Sequence, residues 1–181
     1  MTGISPPSAL FLRNRERLHA AAARRAVIDL ACGRGRHTLA AAQAGLRTCG
    51  ADRDRDALLS LRRDASTRGL ALDAVRADLE SDPNIPFQSG SCGGILVFRF
   101  LFRPLAPRIE SLLAPGGLLL YETFTVGQRS LAGGPRRADF LLDPGELRGM
   151  FPRLEVVDYW EGITDDARPA ALARLVARRR S

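Results

Sequence analysis

The stretch Val27-Ile28-Asp29-Leu30-Ala31-Cys32-Gly33-Arg34-Gly35-Arg36-His37 decides how this chain folds. Residues 27–31 are a short apolar run interrupted by one carboxylate, and they read as a buried strand. Gly33 and Gly35 follow, where the chain turns tightly and a ligand can approach bare backbone. Residues 38–44 are alanine-rich and helix-prone, and Gly45 stops them. Strand, glycine turn and helix in this order point unpaired N–H groups and partial positive charge at whatever the turn holds.

The pattern repeats downstream. Residues 47–51, 72–77, 95–100 and 118–123 read as strands. Residues 54–68 and 108–113 read as helices, ended by Gly69 and by Pro115-Gly116-Gly117. Upstream, residues 9–23 predict one amphipathic helix that starts after Pro6-Pro7-Ser8. The alternation implies βαβ units and an α/β fold, with a parallel sheet covered on both faces. Right-handed crossovers then bring the C-terminal ends of the strands to one rim, where ligands bind. The last third differs. Asp143-Pro144-Gly145-Glu146 looks like a capping box with Pro at the first helical position, opening a short helix that runs to Met150. Residues 154–160 and 171–177 form an antiparallel hairpin at the sheet edge. The glycine-rich connection 124–142 is long enough to be functional or mobile, and it is read as an active-site loop.

Length and composition set the bounds. At 181 residues with 45% hydrophobic content, one domain over 1–181 is expected, with 1–24 as a helical extension. No stretch approaches the roughly 20 apolar residues of a membrane span. The first residues do not read as a secretory signal. Cys32, Cys49 and Cys92 lack metal-ligand spacing and read as reduced thiols of a cytoplasmic protein, with no metal site. The formal charge is +7, and every one of the 27 basic residues is arginine. The arginines are scattered, apart from Arg178-Arg179-Arg180, and are not interleaved with aromatics. That argues against a nucleic-acid partner.

Three carboxylates narrow the ligand. A dinucleotide turn carries a third glycine three residues after the second, but Thr38 stands there. Asp29 instead puts an acid inside the first strand, which suits a cation better than a pyrophosphate. Asp52 ends the second strand, where a carboxylate can accept both hydroxyls of a ribose diol. Asp78 ends the third strand, placed to accept from an adenine amino group, with Leu79 as an apolar contact. Acids at three successive strand ends describe a positively charged nucleoside without phosphate. S-adenosylmethionine fits that description.

These residues carry a family resemblance. Over residues of about 25–178 the chain resembles a class I S-adenosylmethionine-dependent methyltransferase. Asp29-Leu30-Ala31-Cys32-Gly33-Arg34-Gly35 stands for the first motif, Asp52 for the ribose, and Asp78-Leu79 for the adenine. Leu113-Ala114-Pro115-Gly116-Gly117-Leu118-Leu119 is similar to the segment entering the fifth strand. Phe98-Arg99-Phe100-Leu101-Phe102-Arg103-Pro104-Leu105 and Tyr121-Glu122-Thr123-Phe124-Thr125-Val126-Gly127 are most similar to small bacterial methyltransferases of the tellurite-resistance type. The chain departs from the pattern at Ala31, which replaces the first glycine, and at Gly93, where many members have Asp. It also lacks the Asn/Asp-Pro-Pro-Tyr of amino-group methylation.

The resemblance implies a Rossmann-like three-layer sandwich with sheet order 3-2-1-4-5-7-6 and an antiparallel strand 7. It implies S-adenosylmethionine as cofactor and S-adenosylhomocysteine as product. The cofactor would be held by Asp29, Ala31, Cys32, Gly33, Gly35, His37, Asp52, Arg53, Asp78, Leu79, Phe98 and Arg99. Beyond strands 4 and 5, Arg99, Tyr121 and Glu122 are the candidate catalytic groups. Arg103, Thr123, Arg136 and Arg137 are candidate contacts to the acceptor. So many arginines suit a small, anionic methyl acceptor. An RNA or protein methyltransferase, a non-catalytic S-adenosylmethionine-binding module and a dehydrogenase are the competing readings.

Overall fold

A computed structural model describes residues 5–81 and 85–180. Seven strands form one sheet in the order β3-β2-β1-β4-β5-β7-β6. The strands are β1 (Ala26–Leu30), β2 (Thr48–Asp52), β3 (Asp73–Arg76), β4 (Cys92–Phe98), β5 (Leu113–Phe124), β6 (Leu154–Ile163) and β7 (Ala171–Arg179). β3, β2, β1, β4 and β5 run parallel to their neighbours, while β7 pairs antiparallel with both β5 and β6. The helices are α1 (Ala9–Arg13), α2 (Arg15–Ala21), α3 (Arg36–Gln43), α4 (Arg55–Thr67), α5 (Ala106–Leu112) and α6 (Glu146–Gly149).

Burial on both faces explains why the central strands read as unbroken apolar runs. Along β5, Leu118 and Leu120 turn to one face, where Leu10, Phe11 and Leu18 of α1 and α2 pack with Leu96 and Phe98. Leu119 and Tyr121 turn to the other, onto Ile109 and Leu112 of α5 and onto Phe151. A third cluster (Leu39, Leu58, Leu61 and Ala65) locks α3 to α4.

Three boundaries depart from the sequence reading, and one loop is tied at its base. The expected helix 9–23 is two helices, because the chain breaks at Asn14, whose side chain donates to the Leu10 carbonyl at 2.9 Å. Pro115-Gly116-Gly117 does not precede the fifth strand. It is a bulge inside β5, where the pairing slips from Cys92–Leu113 to Gly94–Leu118 and Gly116 takes φ 77°. The last helix begins at Glu146, after Gly145 and not at Pro144, and its Glu146 carboxylate reaches back to the Asp143 N–H at 2.8 Å. The 124–142 loop is pinned at its neck, since Val126 N–H donates to Leu142 O and Leu142 N–H to Phe124 O, both at 2.9 Å.

Gly93 has a packing reason. A Cβ there would lie 2.6 Å from the Cα of Ala22, so the glycine lets the end of α2 close against β4. No helix among the described residues is long and apolar enough to cross a membrane.

Candidate functional site

The turn after β1 is the centre of the site. Ala31, Gly33 and Gly35 all take left-handed backbone conformations, with φ of 53°, 53° and 76°. Gly35 has a second constraint, because a Cβ there would strike Leu61 of α4 at 2.4 Å. Ala31 is the surprise. Its methyl is not what sets it apart from glycine: the backbone pose is, at about 1–2 kcal/mol for an L-residue.

Asp29 is buried at 2% exposure and ties β1 to α3. Its Oδ2 accepts the Thr38 hydroxyl at 2.7 Å and the Thr38 N–H at 3.1 Å, capping the first turn of α3 from outside the helix. Burial pushes its carboxyl up to about 7, and the two Thr38 bonds pull the other way. Asp52 closes the turn from β2. Its carboxylate accepts the Gly33 N–H at 2.7 Å and the Asp54 N–H at 2.9 Å. Asp78 is half-buried, and bonds from Glu80 N–H and the Ser81 hydroxyl hold its carboxyl below the usual range.

Two cavities flank this turn and share Ala31. The smaller, about 190 Å³, is a slot walled by Ala31, Ala77, Leu79 and Phe100, with Asp52 and Asp78 at its edges. Arg53 reaches Glu80 across its rim at 2.8 Å. An apolar slot with two carboxylates at its edges has the chemistry to hold an adenosine: ring faces on the walls, hydroxyls and amino group on the acids. The larger cavity, about 1080 Å³, runs from Asp29, Gly33 and Gly35 past His37 and Phe98 to Arg99, with Ser5 on its wall. Glycine backbone beside an acid in this cavity fits an amino-acid moiety carrying both ammonium and carboxylate.

Several expected residues meet in these two cavities, though not always in the expected role. His37 lies in the first turn of α3, stacked on Phe98 at 3.7 Å between ring centroids. Its Nε2 accepts the Ser8 N–H at 3.0 Å, which assigns the proton to Nδ1. Burial, then the charges of Arg36 and Arg99, press it down to about 3, so it stays neutral. Cys32 packs its thiol toward Gly50 of β2, where a Cβ would approach Sγ to 2.8 Å. Burial pushes that thiol well up, so it is inert.

The acceptor side needs more correction. Glu122 is no available base. It is 1% exposed, and Oε2 takes both the Ser8 hydroxyl and Arg174 Nε at 2.8 Å, while Arg99 Nε stands 3.6 Å from Oε1. Tyr121 is buried and turned away, donating its hydroxyl to the Phe100 carbonyl at 3.0 Å, and burial raises its phenol. Thr123 is buried where β5 pairs with Ala173 of β7. Arg103 forks onto Glu146 and donates to the Leu141 carbonyl, so it fastens the 124–142 loop. Arg136 bonds the Arg129 and Leu131 carbonyls of its own loop. Arg137 pairs with Asp139 at 2.9 Å. Arg103 and Arg136 are tied to loop carbonyls, Arg137 is exposed beside Asp139, and none of the three lines either cavity.

Arg99 alone of the acceptor-side candidates faces the larger cavity. It too is left-handed, at φ 61°, with its N–H on the Glu122 carbonyl at 2.8 Å and its guanidinium over the Phe124 ring at 4.5 Å. Sequence reasoning missed Ser8, Phe124 and Arg174. Ser8 signalled only a helix start. Phe124 and Arg174 carry no local signal, because long-range pairing of β4, β5 and β7 brings them in.

Residues 27–117 match the family model described as a methyltransferase domain, half of the chain. The chain belongs to that family. The sheet order found here is the one that the resemblance to class I S-adenosylmethionine-dependent methyltransferases implied. A ribosomal protein L11 methyltransferase of Pseudomonas paraeruginosa is 33% identical over 147 residues, 79% of this chain and 48% of that protein. The chain thus spans about half the length of the curated relatives it matches. Of solved structures, TehB from Haemophilus influenzae superposes with a TM-score of 0.75 at 17% identity, over 99% of this chain and 64% of that one. A S-adenosylmethionine-dependent methyltransferase from Mesorhizobium loti gives 0.72 at 17% identity, over 95% and 99%. These two likenesses show the methyltransferase fold. S-adenosylmethionine is the family's cofactor, and the slot and glycine turn fit it.

Proposed function

We propose that this chain binds S-adenosylmethionine across the two cavities and transfers its methyl group to a small-molecule acceptor beside Arg99. The observation that carries the reading is the pair of cavities meeting at Ala31, one edged by Asp52 and Asp78, the other by Asp29 and the glycine turn. In this reading Asp52 holds the ribose hydroxyls and Asp78 the adenine amino group. Ala31, Leu79 and Phe100 cover the ring, and Gly33 and Gly35 admit the methionine part. Arg53 with Glu80 closes the outer edge.

The sulfonium methyl is an activated electrophile. What the chain adds is orientation and exclusion of water, and orientation can supply about 7–11 kcal/mol of barrier reduction. Among the described residues at the acceptor end, the side chains that could take a proton are already engaged. His37 is neutral with Nε2 occupied, and Glu122 is locked by its donors. The site therefore favours an acceptor whose nucleophilic atom carries no high-pKa proton at neutral pH. Arg99 supports anionic character in that acceptor.

The test supplies S-adenosylmethionine labelled in its methyl group together with fractionated bacterial extract. Label in small molecules supports the reading. Label confined to acid-precipitable protein favours the second reading, a protein acceptor, which the name of the L11 methyltransferase relatives suggests. Absence of transfer, with the cofactor bound, leaves a non-catalytic binding module.

A further inference from the structure

Arg174 sits in the middle of β7, outside both cavities, yet it forms the shorter of the two ion pairs on Glu122. Its Nε lies 2.8 Å from Glu122 Oε2, the distance of a charge-assisted hydrogen bond. Arg99 Nε lies 3.6 Å from the other oxygen, too far for a hydrogen bond. Glu122 is thus spoken for by Arg174 and Ser8. Arg99 is aimed by its left-handed backbone and by the face of Phe124. Among the described residues its Nη1 and Nη2 have no acceptor, and a third of its side chain is exposed.

The charge balance points the same way. Arg99 and Arg174 both stand beside Glu122, Arg174 Nε at 2.8 Å and Arg99 Nε at 3.6 Å. Two guanidiniums face one buried carboxylate, which leaves one positive charge uncompensated in this cluster. His37 adds nothing, being neutral. Burial of Arg99 disfavours that charge until an anion meets it.

We propose that Arg174 is a specificity-determining positioning residue. By occupying Glu122 it leaves the planar fork of Arg99 free to take a carboxylate-type anion on the acceptor. This rests on the reading that the acceptor binds beside Arg99. Without Arg174, Glu122 would draw Arg99 into an ordinary neutral pair, and the site would lose its preference for charge.

Trp160, the only tryptophan in the chain, stacks under the Arg174 guanidinium at 4.7 Å and reports on this corner. The probes are benzoate and its neutral counterpart benzamide, titrated at pH 7.5 into protein saturated with S-adenosylhomocysteine and read by Trp160 emission and by calorimetry. Benzoate is expected to bind saturably, and benzamide about tenfold or more weaker, the share that a charged hydrogen bond carries. Arg174→Gln should lose that discrimination with S-adenosylhomocysteine affinity unchanged, and Arg174→Lys should restore part of it. Equal binding of the two probes, no saturable benzoate binding, or full discrimination in a folded Arg174→Gln protein overturns the proposal. Failure of the wild type to bind S-adenosylhomocysteine is read in the same titration and sinks the cofactor reading instead.

Discussion

Glu122→Gln separates two accounts of the most deeply buried acid on the acceptor side. The substitution keeps the volume and removes the charge. Glu122 is 1% exposed, and its Oε2 accepts from both Ser8 and Arg174. Removing one partner of a buried ion pair costs about 3–5 kcal/mol, because the remaining charge is left uncompensated. Arg99 adds little, since it is a third exposed and 3.6 Å away. The amide oxygen of Gln still accepts a hydrogen bond, so the lower end applies, about 3 kcal/mol. For a chain of this length that corresponds to roughly 6–12 °C in the melting midpoint. Urea unfolding should show a lower midpoint at an unchanged slope. If Glu122 were instead a free general base, the variant would lose methyl transfer with stability within about 0.5 kcal/mol of the parent, the usual range for a change away from such features. That outcome would refute the locked-carboxylate account.

Other substitutions probe the rest of the site. Ala31→Gly relieves a left-handed pose worth about 1–2 kcal/mol, offset by about 0.4–1 kcal/mol of chain entropy, so a melting midpoint raised by a few degrees is expected. A lowered midpoint would show that the methyl of Ala31 has a packing role. Asp29 is held at about 7 against an ordinary 3.8, so the folded chain keeps a proton that the unfolded chain releases. Stability from this group falls as pH rises from about 4 to about 7; Asp29→Asn should flatten that slope in urea midpoints taken across the range, and an unchanged slope counts against it. Arg103→Ala removes the fork onto Glu146 and the bond to the Leu141 carbonyl. Limited proteolysis should then cut within 131–137 faster, at a stability loss of about 1 kcal/mol because the pair is partly exposed; unchanged cleavage would show the loop is fastened elsewhere.

The residues that meet at the turn after β1 were more legible in the sequence than those that meet around Arg99, for a physical reason. The turn after β1 is local: Asp29, Gly33 and Gly35 are within a few residues, and Asp52 and Asp78 mark strand ends that hydrophobic periodicity locates. The sheet order came with the family resemblance, not from periodicity. The surroundings of Arg99 are assembled across β4, β5, β7 and the start of α1, so proximity in sequence misled. Arg103, Arg136 and Arg137 looked available because their partners are loop carbonyls and acids that no local pattern announces. Glu122 looked like a base because Ser8 and Arg174 lie 114 and 52 residues away. The break at Asn14 and the bulge at Gly116 escaped for a related reason, since propensity outlines an element while side-chain bonds and pairing register set its limits.

The central claim is that Asp29, Asp52, Asp78 and the glycine turn hold a cationic nucleoside. Calorimetry of the purified chain with S-adenosylmethionine, S-adenosylhomocysteine and NAD, with Asp52→Ala as the control, tests it most directly. The account predicts saturable binding of both sulfur nucleosides, none of NAD, and affinity lowered about tenfold or more in Asp52→Ala, as loss of a charged hydrogen-bond acceptor requires. Tight NAD binding with no response to the other two would contradict it.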